Sequence, residues 1–276
     1  MLWVVGLILF TIGLFAGTLG SLVGIGGGII IVPALLYIAS VFSGLSSISP
    51  QIAAGTSLLV VMLTAVSSII AFHKQKRIDY RSGLLFFIGA GPGAFFGAFF
   101  SKYFSADGFM VGFGLFLLFL FSLMMFQGKL KPIKFSNVVE RTYIDTSGEE
   151  HSYRFHVVTA ICISFFIGII SSLFGIGGGA MLVPMMLLVF QFPPLVATAT
   201  SMFVIFLSSV TGSVTHVFQG HISWLALVLI APGSWIGGRL GAFLSNKMSN
   251  RILLIIFRTT LVIVAIKMIL DGLHLM

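Results

Sequence analysis

Three consecutive glycines inside an apolar run, occurring twice, constrain this chain more than any other feature. Ser21-Leu-Val-Gly-Ile-Gly-Gly-Gly28 and Ser172-Leu-Phe-Gly-Ile-Gly-Gly-Gly179 differ at a single position, and each is followed five residues later by a proline, Pro33 and Pro184. A glycine in a helix interior costs about 1 kcal/mol relative to alanine, so each stretch reads as a break between helices. In hydrocarbon, irregular backbone survives only where protein buries it or where it lines a wet cavity.

Composition supplies the hydrocarbon. Hydrophobic residues make up 58% of 276 and charged residues 8%, with a mean hydropathy of +1.15, whereas soluble domains carry roughly 25% charge. The chain is therefore expected to be an all-α integral membrane protein. At about 20 apolar residues per crossing it holds ten runs, some short: about 2–22, 28–42, 51–73, 83–101, 108–126, 156–173, 179–192, 195–217, 223–244 and 251–270. The first run is too long for a removed signal peptide and lacks its small-residue cleavage site. Continuous rather than alternating apolar runs exclude an outer-membrane barrel. The net charge of +8 sits between membrane runs, where it sets topology, so no nucleic-acid partner is expected. Cys162 is the sole cysteine and lies in an apolar run, where it reads as packing; no disulfide framework, metal site or cofactor is expected.

The breaks belong to a duplicated unit. At an offset of 151, Gly17 matches Gly168 and Ser21 to Pro33 matches Ser172 to Pro184. At an offset of 144, Thr56-Ser57 matches Thr200-Ser201, Gln75 matches Gln219, and the ladder Gly89, Gly93, Gly97 matches Gly233, Gly237, Gly241. Each half then contains five runs, and an odd number inverts the second half. Residues 1–126 form the first transmembrane repeat, 127–155 a polar cytoplasmic linker, and 156–276 the second repeat. Within the linker, 138–145 and 149–156 flank Thr146-Ser-Gly148 and read as a short hairpin.

The distribution of basic residues tests the inversion independently. With the connector at Lys74, Lys76, Arg77 and Arg81 in the cytoplasm, alternation places thirteen of the fifteen basic residues on or nearest that side, leaving Lys102 and Lys267 outside. Both termini are then outside. Parallel repeats of four spans would instead put Arg239, Lys247, Arg251 and Arg258 outside.

Gly/Pro-interrupted runs at corresponding positions of two inverted halves point to a transporter's central site. The expected substrate-binding residues are Gly24, Gly26, Gly27 and Gly28 with Gly175, Gly177, Gly178 and Gly179, because each break exposes unpaired N–H groups at a helix N-terminus that attract anions. Thr56, Ser57, Thr200 and Ser201 can donate hydroxyls to an oxyanion or, equally, cap helices. Arg258, inside the last run, is either a cation on an anion path or a side chain snorkelling to the interface. The glycine ladders read as packing faces. His73 and His216, near the ends of corresponding runs, can titrate near neutral pH. No carboxylate falls mid-membrane, which argues against an acidic proton relay.

These motifs, together with Ala54-Gly55-Thr56-Ser57 and Ala197-Thr-Ala-Thr-Ser201, make nearly the whole chain resemble the sulfite exporter TauE/SafE family, also called the toluene-sulfonate uptake permease family. The resemblance implies secondary transport of sulfite, sulfoacetate, sulfonates or similar small anions, usually across a bacterial inner membrane. An anion channel and a membrane-embedded accessory subunit are the alternatives. An enzyme is not expected, since no nucleophile, metal cluster or acid pair is recognisable.

Overall fold

A computed structural model describes residues 2–125, 139–144, 150–245 and 250–273. These residues form α1 (Leu2–Val23), α2 (Gly28–Val41), α3 (Pro50–Lys74), α4 (Tyr80–Ser101), α5 (Ala106–Met125), β1 (Val139–Ile144), β2 (Glu150–Phe155), α6 (Val157–Phe174), α7 (Gly179–Leu188), α8 (Pro194–Phe218), α9 (Trp224–Leu244) and α10 (Asn250–Gly272). Seven of them, α1, α3, α4, α5, α6, α8 and α9, are long and apolar enough to cross a membrane. With 14 residues in α2 and 10 in α7, those two rise only about 21 and 15 Å at 1.5 Å per residue, short of the roughly 30 Å core.

Local chemistry explains where the elements depart from the hydropathy runs. Helix α7 stops at Leu188, not near 192, because the Phe190 and Phe192 N–H groups turn back onto the carbonyls of Met185 and Met186. Gln191 there adopts φ 56, and Pro193-Pro194 disfavour helix in the residue before each. Helix α4 begins at Tyr80, ahead of its apolar run, because Oδ1 of Asp79 accepts from the Arg81 and Ser82 N–H groups at 3.1 Å each and caps it.

Helix α1 lies along α9, α4 along α6, α5 against α10 and α3 against α8; α3 also meets α9, and α8 meets α4. Exchanging every helix for the one five places away maps this set of contacts onto itself. The main interfaces therefore join one half to the other, and the halves interleave. The glycine ladders build the tightest of them: a Cβ on Gly89, Gly93 or Gly97 would strike the carbonyl of Ile161, Phe165 or Ile169 in α6, and one on Gly233, Gly237 or Gly241 that of Phe10, Leu14 or Thr18 in α1. Cys162 corrects its reading as a packing residue. Together with Val158 and Phe166 it forms an exposed stripe at four-residue spacing on α6, turned away from the interior.

The hairpin forms as expected, with Val139 opposite Phe155 and Ile144 opposite Glu150; its turn, at 145–149, lies outside the described residues, as does the stretch 126–138. Its root is docked. Tyr153 and Phe155 are 2% and 0% exposed, with the Tyr153 ring 4.1 Å from that of Phe192 and the Phe155 ring 5.6 Å from that of Phe86.

Candidate anion site at the paired glycine breaks

Six glycines give the breaks their shape. Gly24, Gly26 and Gly27 have φ of 81, 90 and 90, and Gly175, Gly177 and Gly178 have φ of 73, 85 and 82, a region that a Cβ disfavours. Gly27 and Gly178 occupy the N-cap positions of α2 and α7 without any side-chain cap. Their carbonyls accept from Ile30 and Ile31, and from Met181 and Leu182. The N–H groups of Gly28 and Ile29, and of Gly179 and Ala180, meet no acceptor among the described residues. Two helix N-termini thus present unpaired donors and the positive ends of their dipoles.

The breaks lie against each other. A Cβ on Gly28 would meet the Gly175 carbonyl and Ile176, and one on Gly179 the Gly24 carbonyl and Ile25. Two serines lock the crossing: Ser57 Oγ donates to the Gly175 carbonyl at 2.8 Å, and Ser201 Oγ shares its single proton between the Gly24 carbonyl at 2.9 Å and the Thr198 carbonyl at 2.8 Å in its own helix. Each half therefore holds the other half's break. The neighbouring threonines tie down helix starts, since Thr56 Oγ1 accepts from the Ser223 N–H at 2.8 Å and Thr200 Oγ1 from the Asp79 N–H at 3.0 Å. All four side chains are fully buried. The serines thus brace the breaks and the threonine oxygens cap helix starts, while the Thr56 and Thr200 hydroxyl protons, like the half-helix N–H groups, keep donor capacity among the described residues.

Space at the crossing is small. Val61 and Ile205, matched positions of the repeat, lie over Gly26 and Gly177. A cavity of about 10 Å³ remains beside Gly177, Gly178, Ser171 and Ser208, room for about one water. Cargo larger than water requires these walls to part.

Arg258 lies elsewhere. Its Nη2 donates to the carbonyl of Met124, in the last turn of α5, where a cation complements the helix dipole; its hydrogen bond is not with the breaks. His73 is exposed, with Nδ1 2.7 Å from the Tyr80 hydroxyl. His216 is the residue that sequence reading underrated. It is fully buried, its Nε2 is 3.1 Å from the carbonyl of Ser172 at the start of the second glycine motif, and its ring is 5.7 Å from that of His221. Nδ1 of His216 meets no partner among the described residues. The signal was available, because at the 144 offset the matched residue is Phe72.

Apolar helices long enough to cross a membrane, packed around two crossed helix breaks, are an architecture that transporters use. Residues 9–268 match the family described as Sulfite exporter TauE/SafE, and the chain belongs to that family of membrane transporters, which are not enzymes. It is 46% identical over 248 residues, 90% of this chain and 91% of the other, to a probable membrane transporter protein, YunE, of Bacillus subtilis (strain 168). A probable membrane transporter protein of Xylella fastidiosa (strain Temecula1) is 26% identical over 226 residues, 81% of this chain and 78% of its own. No solved structure matches.

Proposed function

We propose that the protein is a secondary transporter of a small sulfur-containing anion, sulfite or an organosulfonate, working by alternating access at the crossed breaks. The observation that carries this reading is the reciprocal grip of Ser57 on Gly175 and of Ser201 on Gly24. It joins two half-helix N-termini, each with orphan donors, at the buried centre of the molecule, the arrangement by which broken helices bind anionic substrates.

The proposed membrane setting is a bacterial inner membrane, with ten segments as two inverted repeats and both termini outside. Hydrogen bonds between helix ends favour that alternation. Thr200 with Asp79, and Gln75 Nε2 with the Ala242 carbonyl, join ends that alternation assigns to the cytoplasmic side. Thr56 with Ser223, and Gln51 Nε2 with the Phe104 carbonyl, join ends assigned to the outside. Parallel repeats would separate Thr56 from Ser223 by the thickness of the bilayer. The moving bodies are not the sequence halves, which interleave. In this reading they are the groups α1–α3–α9 and α6–α8–α4, which the five-place exchange interconverts and which meet where α3 packs on α8.

Counterflow in proteoliposomes tests the proposal. Vesicles preloaded with unlabelled sulfite should take up labelled sulfite faster than empty ones, with saturable kinetics. Linear flux without trans-acceleration would indicate a channel instead.

A further inference from the structure

A cavity of about 220 Å³ opens between the α3–α4 turn and the hairpin, lined by Lys76, Arg77, Ile78, Asp79, Arg141, Thr142, Tyr153 and Val196. Among the described residues, three cationic side chains and one carboxylate line it, and both oxygens of that carboxylate are already engaged. Asp79 Oδ1 accepts from the Arg81 and Ser82 N–H groups, while Oδ2 accepts from the Ser82 hydroxyl and, at 2.7 Å, from the Tyr153 hydroxyl. Burial, and the Asp79 carboxylate beside it, push the Tyr153 phenol above its ordinary value, so it stays protonated and keeps donating. Glu140, on the same hairpin, is taken by Arg154 at 2.8 Å.

The guanidinium groups are drawn in from solvent, while Lys76 is exposed. Arg77 is only 7% exposed, and Nε of Arg141 is buried without a partner among the described residues. Lys76 has φ 54, a left-handed backbone that non-glycine residues disfavour. Its counterpart at the 144 offset is Gly220, with φ 73. The first half thus carries a lysine at a position where the fold would accept glycine more readily, and that lysine lines the cavity.

We propose that this cavity is a second oxyanion site, separate from the crossed breaks, in which Lys76, Arg77 and Arg141 bind a sulfate-like or phosphate-like group. Guanidinium forks match such groups with paired hydrogen bonds, and the lysine adds charge. The same chemistry is offered by a free anion and by the phosphate of an anionic lipid. The proposal is independent of the transport reading, because the site is built from different residues.

The test is binding of inorganic sulfate to the full-length protein in detergent, read by thermal shift, together with melting in nanodiscs of phosphatidylglycerol against phosphatidylcholine. Wild type should be stabilised in a saturable way by sulfate or by phosphatidylglycerol, which identifies the source of the group. Lys76→Gly and Arg141→Gln should each weaken that effect at least tenfold, while Lys102→Gln, which removes a cation at the far end of α4, should leave it unchanged. Lys76→Gly also guards against misfolding, since relief of the left-handed backbone should raise its melting point in the absence of anion. The proposal is overturned if neither ligand stabilises the wild type, or if both pocket variants respond as the wild type does.

Discussion

At the scale of single residues, the twin motifs are legible as breaks because glycine adopts without strain the left-handed backbone they need. What the sequence could not convey is the partner of each hydroxyl. Ser57 and Ser201 sit beside Thr56 and Thr200 in the chain, yet the serines donate across the molecule to the breaks while the threonines accept from the starts of α9 and α4. Spacing can suggest that a hydroxyl is inside; only the fold decides which way it points. Ser57→Ala or Ser201→Ala leaves a buried carbonyl with one bond fewer, and each should cost about 1–2 kcal/mol of stability and slow transport, measurable by denaturant melts and vesicle uptake. Thr56→Val removes the acceptor of the Ser223 N–H and should cost a similar amount. If Thr56 also touched cargo, the affinity would fall with the stability; bracing alone predicts a lower melting point with unchanged affinity. His221 gives a pH signature. Burial holds its imidazole below the usual value of 6.5, so the folded state resists protonation. Its contribution to stability is intact above about pH 6.5 and is lost as pH falls from there toward the depressed folded value. The melting point should therefore drop between pH 7 and pH 5, and His221→Gln should flatten that drop.

At the scale of elements, the ten runs and the hairpin were readable from hydropathy and turn residues, and the ladders from their four-residue spacing. Their partners were not. Spacing identifies a face that admits a close neighbour without naming it, and here Gly93 meets Phe165 of α6 while Gly237 meets Leu14 of α1. The length of α7 also escaped, because apolar residues continue past the point where Gln191 and Pro193 turn the chain, whereas α2 ends within one residue of its apolar run. Gly93→Ala would place a methyl group against a backbone carbonyl that cannot move aside as a side-chain end can. Overpacking of this kind costs about 1–3 kcal/mol. An equal insertion at Gly44, where a Cβ meets nothing within 4 Å, should be close to neutral. A comparison of the two variants by thermal melting separates interface packing from a general intolerance of glycine substitution.

At the scale of the whole molecule, the internal offsets of 151 and 144 established which segments correspond, but correspondence is not adjacency. The chain places its equivalents α3 and α8 side by side, yet sends α1 to α9 and α6 to α4, so each proposed moving body draws on both halves. The sidedness of that arrangement can be measured directly. Cys162 lies exposed on α6, and Cys162→Ser should give a cysteine-free background with little loss of stability, since surface changes usually stay within about 0.5 kcal/mol. Into it go Gly44→Cys, in the α2–α3 connection, and Phe218→Cys, at the end of α8, where the native side chain is 87% exposed. Alternation over ten segments puts both on the outer face, and the hydrogen bond between Thr56 and Ser223 brings the start of α3 to the start of α9. An impermeant thiol reagent applied to intact cells should therefore label both positions. Labelling of Gly44→Cys from outside and of Phe218→Cys only after the cells are opened would require parallel repeats, and with them a different account of why these two helix ends are bonded together.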